Sequence, residues 1–335
     1  MMLKEYVKFY YTVLTEEQKQ VYKSLYNGFK EKKKSIFVEA DTRMISLQDI
    51  SDIAVYVYND SPLFYYVDIK KHRIEKKLFG YQFHCEYLMS EKEISKTNSF
   101  LEKGIDAFKK LYLTPGMSEY DIEKKIHDYL IKTAIYDYDA TENLNFNGES
   151  FNALGPLLHK KGVCWGFSCA FKLLCDSCGI KCFVIMGQVE RNGVDEEHAW
   201  NVVKIDGDCY HVDVTWDIND KFQTSNNHEY FNLDDKTMQL DHKWDSTFYP
   251  KCTAVKLNYY NKSNLCVTKV EDISNLVKTK IESGNKVIVF KFTGELADKE
   301  NLEKAIQTGA NMTSGGFTYS YSISKIHKTV YIEIK

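Results

Sequence analysis

The sequence predicts an α+β protein built from several packed units, on the basis of its length and its mixed periodicity. The chain has 335 residues, and a single compact core rarely grows past roughly 250 to 300 residues, so two or three units are expected. Segments with helical periodicity also alternate with short segments typical of strands. A content of 44% hydrophobic and 27% charged residues is that of a folded protein and excludes the disordered and fibrous classes.

Charge and cysteine content bear on the partners and the compartment. The 44 Lys and Arg residues nearly balance the 47 Asp and Glu residues, so we expect neither nucleic acid nor an anionic membrane surface as a partner. No apolar run is long enough for a membrane span. Nine cysteines, an odd number, suit a reducing compartment. Because no export signal is visible, we expect a cytoplasmic protein, or an exported one if a signal was trimmed.

Residues 1–89 predict a small N-terminal α+β unit. Thr15 begins a capping-box signature, and Ser46 begins a second amphipathic helix that Pro62 ends. We expect strands over residues 63–69, 73–79 and 81–89, because apolar and polar residues alternate in the first of them. The unit carries no cluster of chemically active residues, so scaffolding or partner docking is its expected role.

Residues 90–262 predict the central unit, and residues 263–335 predict a small C-terminal α/β unit. Ser90 and Ser118 begin two helices of the central unit, and an Asn-rich loop over residues 137–150 follows them. In the C-terminal unit, strands near residues 265, 286–292, 317–323 and 329–334 alternate with helices that begin near Asp272 and Asp298.

Cys164 is the candidate nucleophile. It lies at the start of a helical pattern that Gly179 ends, and the positive end of a helix favours a thiolate. An ordinary thiol of pKa about 8.5 is only about 3% ionised at pH 7. Lowering that pKa by two units requires about 2.7 kcal/mol, which is more than a helix terminus usually supplies. The thiolate therefore needs a cationic partner.

A predicted hairpin supplies that partner. Asp206 and Gly207 form a turn signal between a strand that begins near His198 and a strand over residues 209–216. If the turn is a two-residue type I′ turn, paired positions sum to 413, so Trp200 lies opposite Asp213 and His198 lies opposite Thr215. All four side chains then share one face, where His198 and Asp213 are diagonal neighbours. A one-residue change in the turn would separate them.

These three residues fit acyl transfer. A nucleophile at a helix start and an imidazole oriented by a carboxylate are the groups that such a reaction requires. Cys164 would attack an amide carbonyl, His198 would hold the thiolate and protonate the leaving amine, and Asp213 would fix the imidazole tautomer. The backbone N–H of Cys164 is the expected first oxyanion donor, and the sequence does not identify a second.

The motifs that carry these residues resemble the transglutaminase-like superfamily of papain-like thiol enzymes over about residues 118–244. They are Gly162-Val-Cys164-Trp-Gly166, His198-Ala-Trp-Asn201 and His211-Val-Asp213-Val-Thr-Trp-Asp217. The resemblance implies a papain-like central domain in which the Cys164 helix packs on an antiparallel sheet. It also implies a Cys164, His198 and Asp213 triad without a metal or organic cofactor. The flanking units look like those of multidomain bacterial relatives, most of which are exported.

Other readings of the same residues remain open. His211 shares the predicted face and competes with His198 as the base, and Asp217 is a competing carboxylate. Cys175 and Cys178 have a metal-like gap, but they lack a second pair, so we expect core packing and no metal.

The neighbouring aromatic residues and one helical pair also have two readings. Trp165, Trp200 and Trp216 are candidate substrate walls, with core packing as the alternative. His127 and Asp128 are expected to form a structural pair rather than a catalytic one.

The predicted function is that of a cysteine-dependent acyl-transfer enzyme acting on peptide or side-chain amides of a protein or peptide substrate. Hydrolysis is favoured over transfer to an amine, because water is always abundant and no amine-binding tunnel is visible. The alternative is a non-enzymatic binding or scaffold protein that keeps the groove. The sequence sign of that alternative, a lost triad residue, is absent.

Overall fold

The computed structural model describes residues 8–142, 148–191, 193–218, 227–293, 299–313, 317–324 and 326–335. Helices and strands alternate along the chain, and the sheets are mainly antiparallel, so the predicted α+β class is confirmed. Within these ranges, no helix combines the length and the apolar character needed to cross a bilayer.

The N-terminal elements form a three-stranded antiparallel sheet covered by helices. They are α1 (Phe9–Val13), α2 (Glu16–Lys30), β1 (Ser35–Glu39), α3 (Leu47–Asp60), β2 (Val67–Lys77) and β3 (Gly80–Tyr87), with the strand order β1-β3-β2. Thr15 and Ser46 each close a capping box, so both helices begin where the sequence predicts. The strand expected over residues 63–69 is wrong at its start. Pro62–Phe64 forms a 3₁₀ turn, because Pro favours the first position of a helical turn.

The first and second predicted strands of this unit are not separate, whereas the third corresponds to β3. The structure has one continuous strand, β2, from Val67 to Lys77, with an irregularity in register between Asp68 and His72. A bulge of this kind bends a strand without ending it. The residues expected to separate two strands therefore lie within one.

The central elements place one buried helix against a five-stranded antiparallel sheet. The helices are α4 (Glu91–Tyr112), α5 (Glu119–Thr133), α6 (Tyr138–Glu142), α7 (Cys164–Cys178), α8 (Val214–Asp217), α9 (Asp235–Met238) and α10 (Tyr259–Lys262). The strands are β4 (Ile135–Tyr136), β5 (Lys161–Gly162), β6 (Lys181–Arg191), β7 (Val194–Ile205), β8 (Asp208–Val212), β9 (Phe231–Leu233) and β10 (His242–Lys243). The sheet order is β10-β6-β7-β8-β9, and β4 pairs with β5 in parallel. Helix α7 packs on β6 and β7.

The predicted hairpin register is confirmed. Strands β7 and β8 pair from Ile205 opposite Asp208 to Asn201 opposite Val212, which keeps the expected sum of 413. Asp206 and Gly207 have φ angles of 50° and 91°, as a type I′ turn requires. The strand expected to reach Trp216 ends at Val212 instead. The reason is that Asp213 acts as the N-cap of α8, so Thr215 lies in a helix and not opposite His198.

The C-terminal elements have a separate hydrophobic core. They are β11 (Cys266–Val267), α11 (Val270–Glu282), β12 (Val287–Phe292), α12 (Lys299–Asn311), β13 (Tyr319–Ile323) and β14 (Thr329–Ile334), with the strand order β11-β12-β14-β13. Asp298, expected to begin the second helix, lies outside the described residues. The N-terminal and central elements share one hydrophobic cluster. The boundaries at residues 89/90 and 262/263 stay predictions.

Replacement of Gly187 by Ala tests the close packing of β6 against β10. A Cβ at this position would overlap the carbonyl oxygen of Lys243 and lie 2.6 Å from the Trp200 ring. Overpacking of a filled core costs about 1 to 3 kcal/mol. We therefore expect Gly187→Ala to lower the free energy of unfolding by about that amount, measured by chemical denaturation.

The matched control for this substitution is Gly104→Ala in the interior of α4. A Cβ at Gly104 has no neighbouring atom within 4 Å. Ala in a helix restricts the unfolded chain more than Gly does, so this change should raise stability by about 0.4 to 1 kcal/mol. Equal effects of the two substitutions would contradict the packing at Gly187.

Candidate active site

The start of helix α7 holds Cys164 beside an ordered neighbouring segment. The N–H of Val163, the N-cap residue, donates a hydrogen bond of 2.9 Å to the carbonyl oxygen of Ser150. A Cβ on Gly166 would overlap that same carbonyl oxygen, so the close approach requires glycine. Cys164 is the first helical residue and is partly exposed. The predicted position of Cys164 at a helix N-terminus is confirmed.

Strand β7 places His198 against this helix. Asn201, three residues further along the strand, donates from its side-chain amide to the carbonyl oxygens of Ser168 at 3.0 Å and Phe183 at 3.2 Å. These bonds join β7 to α7 and to β6, which fixes the distance between the imidazole and the sulfur. Asn201 ends the motif that begins at His198, but the motif alone assigns it no role. The structure indicates its role, because this polar side chain is buried within a strand.

Asp213 is held by hydrogen bonds on both carboxylate oxygens. Oδ2 accepts from His198 Nε2 at 2.7 Å, and Oδ1 accepts from the backbone N–H groups of Thr215 at 2.8 Å and Trp216 at 3.2 Å. The carboxylate therefore caps α8 and orients the imidazole at the same time. Burial raises the pKa of Asp213, but the His198 charge and the hydrogen bonds outweigh it, so its pKa lies well below the usual range.

The electrostatics favour a thiolate and an imidazolium. Burial acts to raise the pKa of the Cys164 thiol, but hydrogen bonds from His198 and from the backbone N–H of Ala199 outweigh it, and the pKa is lowered. Burial acts to lower the pKa of His198, but the Asp213 charge and the bonds to Asp213 and Cys164 raise it to about 10. Since the two shifts have opposite signs, a Cys164 to His198 ion pair is favoured at neutral pH.

A second histidine, His242, contacts the same carboxylate. Its Nε2 lies 3.2 Å from Asp213 Oδ2, and its Nδ1 lies 2.6 Å from Asp241 Oδ1. His242 is fully buried and lies on β10, the edge strand that pairs with β6. Sequence reasoning missed this residue. No local pattern relates β10 to a hairpin about thirty residues earlier, because only the sheet order brings them together.

The two competing candidates have other partners. His211 Nδ1 accepts a hydrogen bond of 3.1 Å from Trp200 Nε1, and His211 Nε2 lies 2.9 Å from Asp235 Oδ1. Asp217 accepts from His127 Nε2 at 2.9 Å and from the backbone N–H of Tyr230 at 3.0 Å. Both side chains bond to other elements of the fold, so His198 is the residue that contacts the Cys164 sulfur.

The expected His127 and Asp128 pair is part of a larger group. Asp128 lies 2.7 Å from His228 Nε2 and accepts a bond of 2.7 Å from Lys124 Nζ, while His127 Nδ1 is 3.6 Å away. The closest partner of His127 is Asp217. The group connects α5 with α8 and with the segment before β9.

The three tryptophans lie in different environments. Trp200 is 1% exposed beneath His198, and Trp165 is 9% exposed with its Nε1 donating to Asn59 Oδ1 at 2.7 Å. Burial favours core packing for both side chains, and their role as substrate walls stays a prediction. Trp216 is only partly buried and lies beside His198, with ring centroids 5.8 Å apart.

A cavity adjoins the partly exposed tryptophan. It has a volume of about 320 Å³ and is lined by Tyr136, Tyr138, Thr215, Trp216 and Ile218. Tyr136 lies on β4, which pairs with the two residues that precede Val163 and Cys164. The cavity therefore lies between the chain that leads to Cys164 and the chain that follows Asp213.

The N-terminal unit also borders the site. Lys70 on β2 places its Nζ 3.6 Å from the centre of the Phe151 ring, in the segment that packs on α7. Burial lowers the pKa of Lys70, whereas the negative charge of Cys164 acts to raise it. The lysine is therefore near enough to the sulfur for the two charges to interact.

Comparison with known proteins identifies the family of the central region. Residues 107–214 match the family model of the transglutaminase-like superfamily. This part of the chain is therefore similar to the transglutaminase-like superfamily. Cys164, His198 and Asp213 lie inside the matched segment, whereas Trp216 and His242 lie beyond it. The family and the paired Cys164 and His198 together indicate an enzyme of the cysteine type.

Solved structures with partial similarity were also found, whereas no curated protein matches the sequence. One is described as a "Putative Cysteine Protease" from Cytophaga hutchinsonii, with 18% identity, a TM-score of 0.28, and coverage of 34% of this chain and 37% of that chain. Another is described as a "TGase", with 17% identity, a TM-score of 0.30, and coverage of 47% of this chain and 46% of that chain. The aligned parts span less than half of either solved chain.

Alkylation at controlled pH tests the ion pair of Cys164 and His198. At pH 6 an ordinary thiol is only about 0.3% ionised. Because the pKa of Cys164 is lowered by His198, its alkylation at pH 6 should be at least about tenfold faster than that of a free thiol. The measurement is peptide mass spectrometry of iodoacetamide adducts over time.

Two comparisons make this measurement specific. His198→Gln removes the imidazolium and should slow the labelling of Cys164 at pH 6. Cys178, a partly exposed cysteine on the same helix whose pKa is raised by burial, is the internal control and should label slowly throughout. Labelling of Cys164 at the rate of Cys178 would contradict the ion pair.

Proposed function

We propose that this protein is a cysteine-dependent acyl-transfer enzyme that acts on peptide or side-chain amides through a thioester. The observation that carries the proposal is the contact of Cys164 with an imidazole whose Nε2 lies 2.7 Å from the buried carboxylate of Asp213. Such a pair provides a nucleophile and a general acid in one place. Cys164, His198 and Asp213 have these roles in the proposed triad.

The first half of the reaction forms the thioester. The Cys164 thiolate attacks the carbonyl carbon of the amide, and its electron pair forms the C–S bond while the carbonyl oxygen becomes an oxyanion. The backbone N–H of Cys164, at the N-terminus of α7, is the proposed oxyanion donor. His198 then gives its proton to the amide nitrogen, the C–N bond breaks and the amine leaves. Asp213 stabilises the imidazolium and keeps its ring oriented.

The second half regenerates the thiolate. His198, now neutral, accepts a proton from water, and the hydroxide forms a C–O bond with the thioester carbonyl carbon. Collapse of the tetrahedral intermediate breaks the C–S bond and releases a carboxylic acid. The same steps with a primary amine in place of water would form a new amide. The proton balance is identical in the two cases.

A protein or peptide is the proposed substrate, and hydrolysis is the proposed main reaction. The cavity of about 320 Å³ beside Trp216 offers the side chains of Tyr136, Tyr138 and Ile218 for apolar contact with the acyl chain. Water is always present at high concentration, so hydrolysis dominates unless an amine is bound selectively.

Replacement of Asp213 by Asn tests the proposed triad with the fold preserved. Asn is also a good N-cap residue, so its side-chain oxygen replaces Oδ1 at Thr215 and Trp216. The negative charge that Asp213 places beside His198 is lost, so the rate of amide hydrolysis should fall by about 10² to 10⁴. Kinetics on a peptide library and thermal unfolding measure the two effects.

The control for this variant is Asp234→Asn. Asp234 also caps a helix, accepting from the Thr237 backbone N–H at 3.1 Å, but it has no contact with His198. Its replacement should leave the rate unchanged within a factor of about three. Cys164→Ala should remove turnover and keep the fold, and turnover that survives this change would refute Cys164 as the nucleophile.

Partition of the thioester between water and amine tests the preference for hydrolysis. A library of glutamine-containing peptides is incubated with the protein, with and without a primary amine, and the products are weighed by mass spectrometry. We expect cleaved or deamidated peptides to exceed amine adducts at millimolar amine, because water competes at far higher concentration. A majority of amine adducts would assign a cross-linking activity instead.

A further inference from the structure

The triad carboxylate has a second histidine on the oxygen that binds His198. Asp213 Oδ2 lies 2.7 Å from His198 Nε2 and 3.2 Å from His242 Nε2. The rings of the two histidines are 5.5 Å apart between centroids, and both are buried. The carboxylate is therefore shared between the proposed general acid and a residue that does not reach the sulfur in the steps described above.

Both nitrogens of His242 face carboxylates. Nε2 faces Asp213, and Nδ1 lies 2.6 Å from Asp241 Oδ1. A carboxylate oxygen only accepts hydrogen bonds when it is ionised. The pKa of Asp213 lies far below its usual range and that of Asp241 is lowered to about 2, in each case against the effect of burial and chiefly by histidine partners. Two ionised acceptors require a hydrogen on each nitrogen of the ring between them.

Asp241 is in turn held by residues from two other segments. Its Oδ2 accepts a hydrogen bond of 2.6 Å from the Tyr230 hydroxyl and lies 3.1 Å from His327 Nε2. His327 is buried and belongs to the C-terminal elements, between β13 and β14. A continuous line of buried hydrogen bonds therefore leads from His198 through Asp213, His242 and Asp241 to the C-terminal unit.

The proposed function, on which this inference rests, gives the arrangement a chemical consequence. His198 must release its proton to the leaving amine, and a buried carboxylate acting alone would hold that proton tightly. A second donor on the same oxygen takes part of the negative charge of Asp213 away from His198. A positive charge 5.5 Å from the His198 ring also opposes its protonation.

We propose that His242 is a positioning residue of the site, a buried imidazolium that shares Asp213 with His198. It weakens the hold of Asp213 on the His198 proton. His327, in the C-terminal elements, keeps it in place through Asp241. The charged or titratable groups around the His242 ring are Asp213, Asp241, His198, Tyr230 and His327. Trp200 and Trp216 cover its remaining faces. Positive and negative groups alternate along the hydrogen bonds from His198 to Asp241, so each buried charge lies next to an opposite one.

The first test reads the charge of His242 directly. The full-length protein is labelled with nitrogen-15 at histidine, and the His242 signals are assigned by their loss in His242→Gln. We expect both ring nitrogens to carry hydrogen at pH 7, with nitrogen-15 shifts typical of an imidazolium. A shift typical of a bare ring nitrogen on His242 would overturn the proposal without any need for a substrate.

The second test measures the effect of His242 on His198. In a Cys164→Ala background, which isolates the imidazole from the thiol, His198 is titrated by its ring signals with and without His242→Gln. Gln keeps a donor for Asp213 but removes the positive charge, so the midpoint of His198 should rise by about one pH unit. His327→Gln should shift the midpoint in the same direction by less, and it should add nothing once His242 is replaced.

His211→Gln is the matched control. His211 is an equally buried histidine that contacts Trp200 and Asp235 but not Asp213. It should leave the His198 midpoint unchanged, whereas a merely structural role of His242 would make the two glutamine variants alike. An unchanged His198 midpoint in folded His242→Gln would also overturn the proposal.

The two proposals fail in different ways. Fast Cys164 alkylation that depends on His198, together with an unaffected His198 midpoint in His242→Gln, would keep the proposed function and reject the role of His242. Labelling of wild-type Cys164 as an ordinary thiol would instead reject the proposed function, and the inference would then lose the reaction on which it rests.

Discussion

The bond between His198 and Asp213 is the constraint on which the rest of the central region depends. Its 2.7 Å length requires the hairpin register, the end of β8 at Val212 and the cap of α8 to agree. A one-residue slip of β8 would turn Asp213 to the other face of the sheet. The type I′ turn at Asp206 and Gly207 and the two bonds of Asn201 to α7 and β6 exclude that slip.

Pairs of histidine and aspartate recur around this bond, and all of their side chains except that of Asp235 are buried. They join α5 to α8, β7 to the α8 cap, β8 to α9, the segment before β9 to α5, and β10 to its own preceding residue. The pairs are His127 with Asp217, His198 with Asp213, His211 with Asp235, His228 with Asp128, and His242 with Asp241. Buried pairs of this kind add little net stability but penalise any arrangement that leaves one partner alone. They therefore favour one arrangement of the packed elements. Apolar contacts alone would define that arrangement less strictly.

Sequence reasoning succeeded where the determining interactions are local. The capping boxes of α2, α3 and α4, the Gly179 end of α7 and the turn at Asp206 each depend on residues within a few positions. It failed where the structure depends on contacts between residues that are distant in the sequence. The alternation of apolar and polar residues predicts that β8 continues, but Asp213 ends the strand by capping α8. It does so because its carboxylate accepts hydrogen bonds from four donors in three segments of the chain. His242 and the burial of Trp200 depend on the order of strands in the sheet, which no short motif encodes.

The flanking units belong physically to the site, although their sequences carry no reactive cluster. The N-terminal elements supply Asn59, which accepts the Trp165 indole hydrogen one residue from Cys164, and Lys70, whose pKa the Cys164 charge acts to raise against the effect of burial. The C-terminal unit supplies His327 at the far end of the hydrogen bonds that begin at His198. A site with contacts from three regions of the chain responds to the packing of each region, since a shift of a few tenths of an ångström weakens a short hydrogen bond. The central region of the chain therefore contains the reacting groups but not all of the contacts that set their geometry.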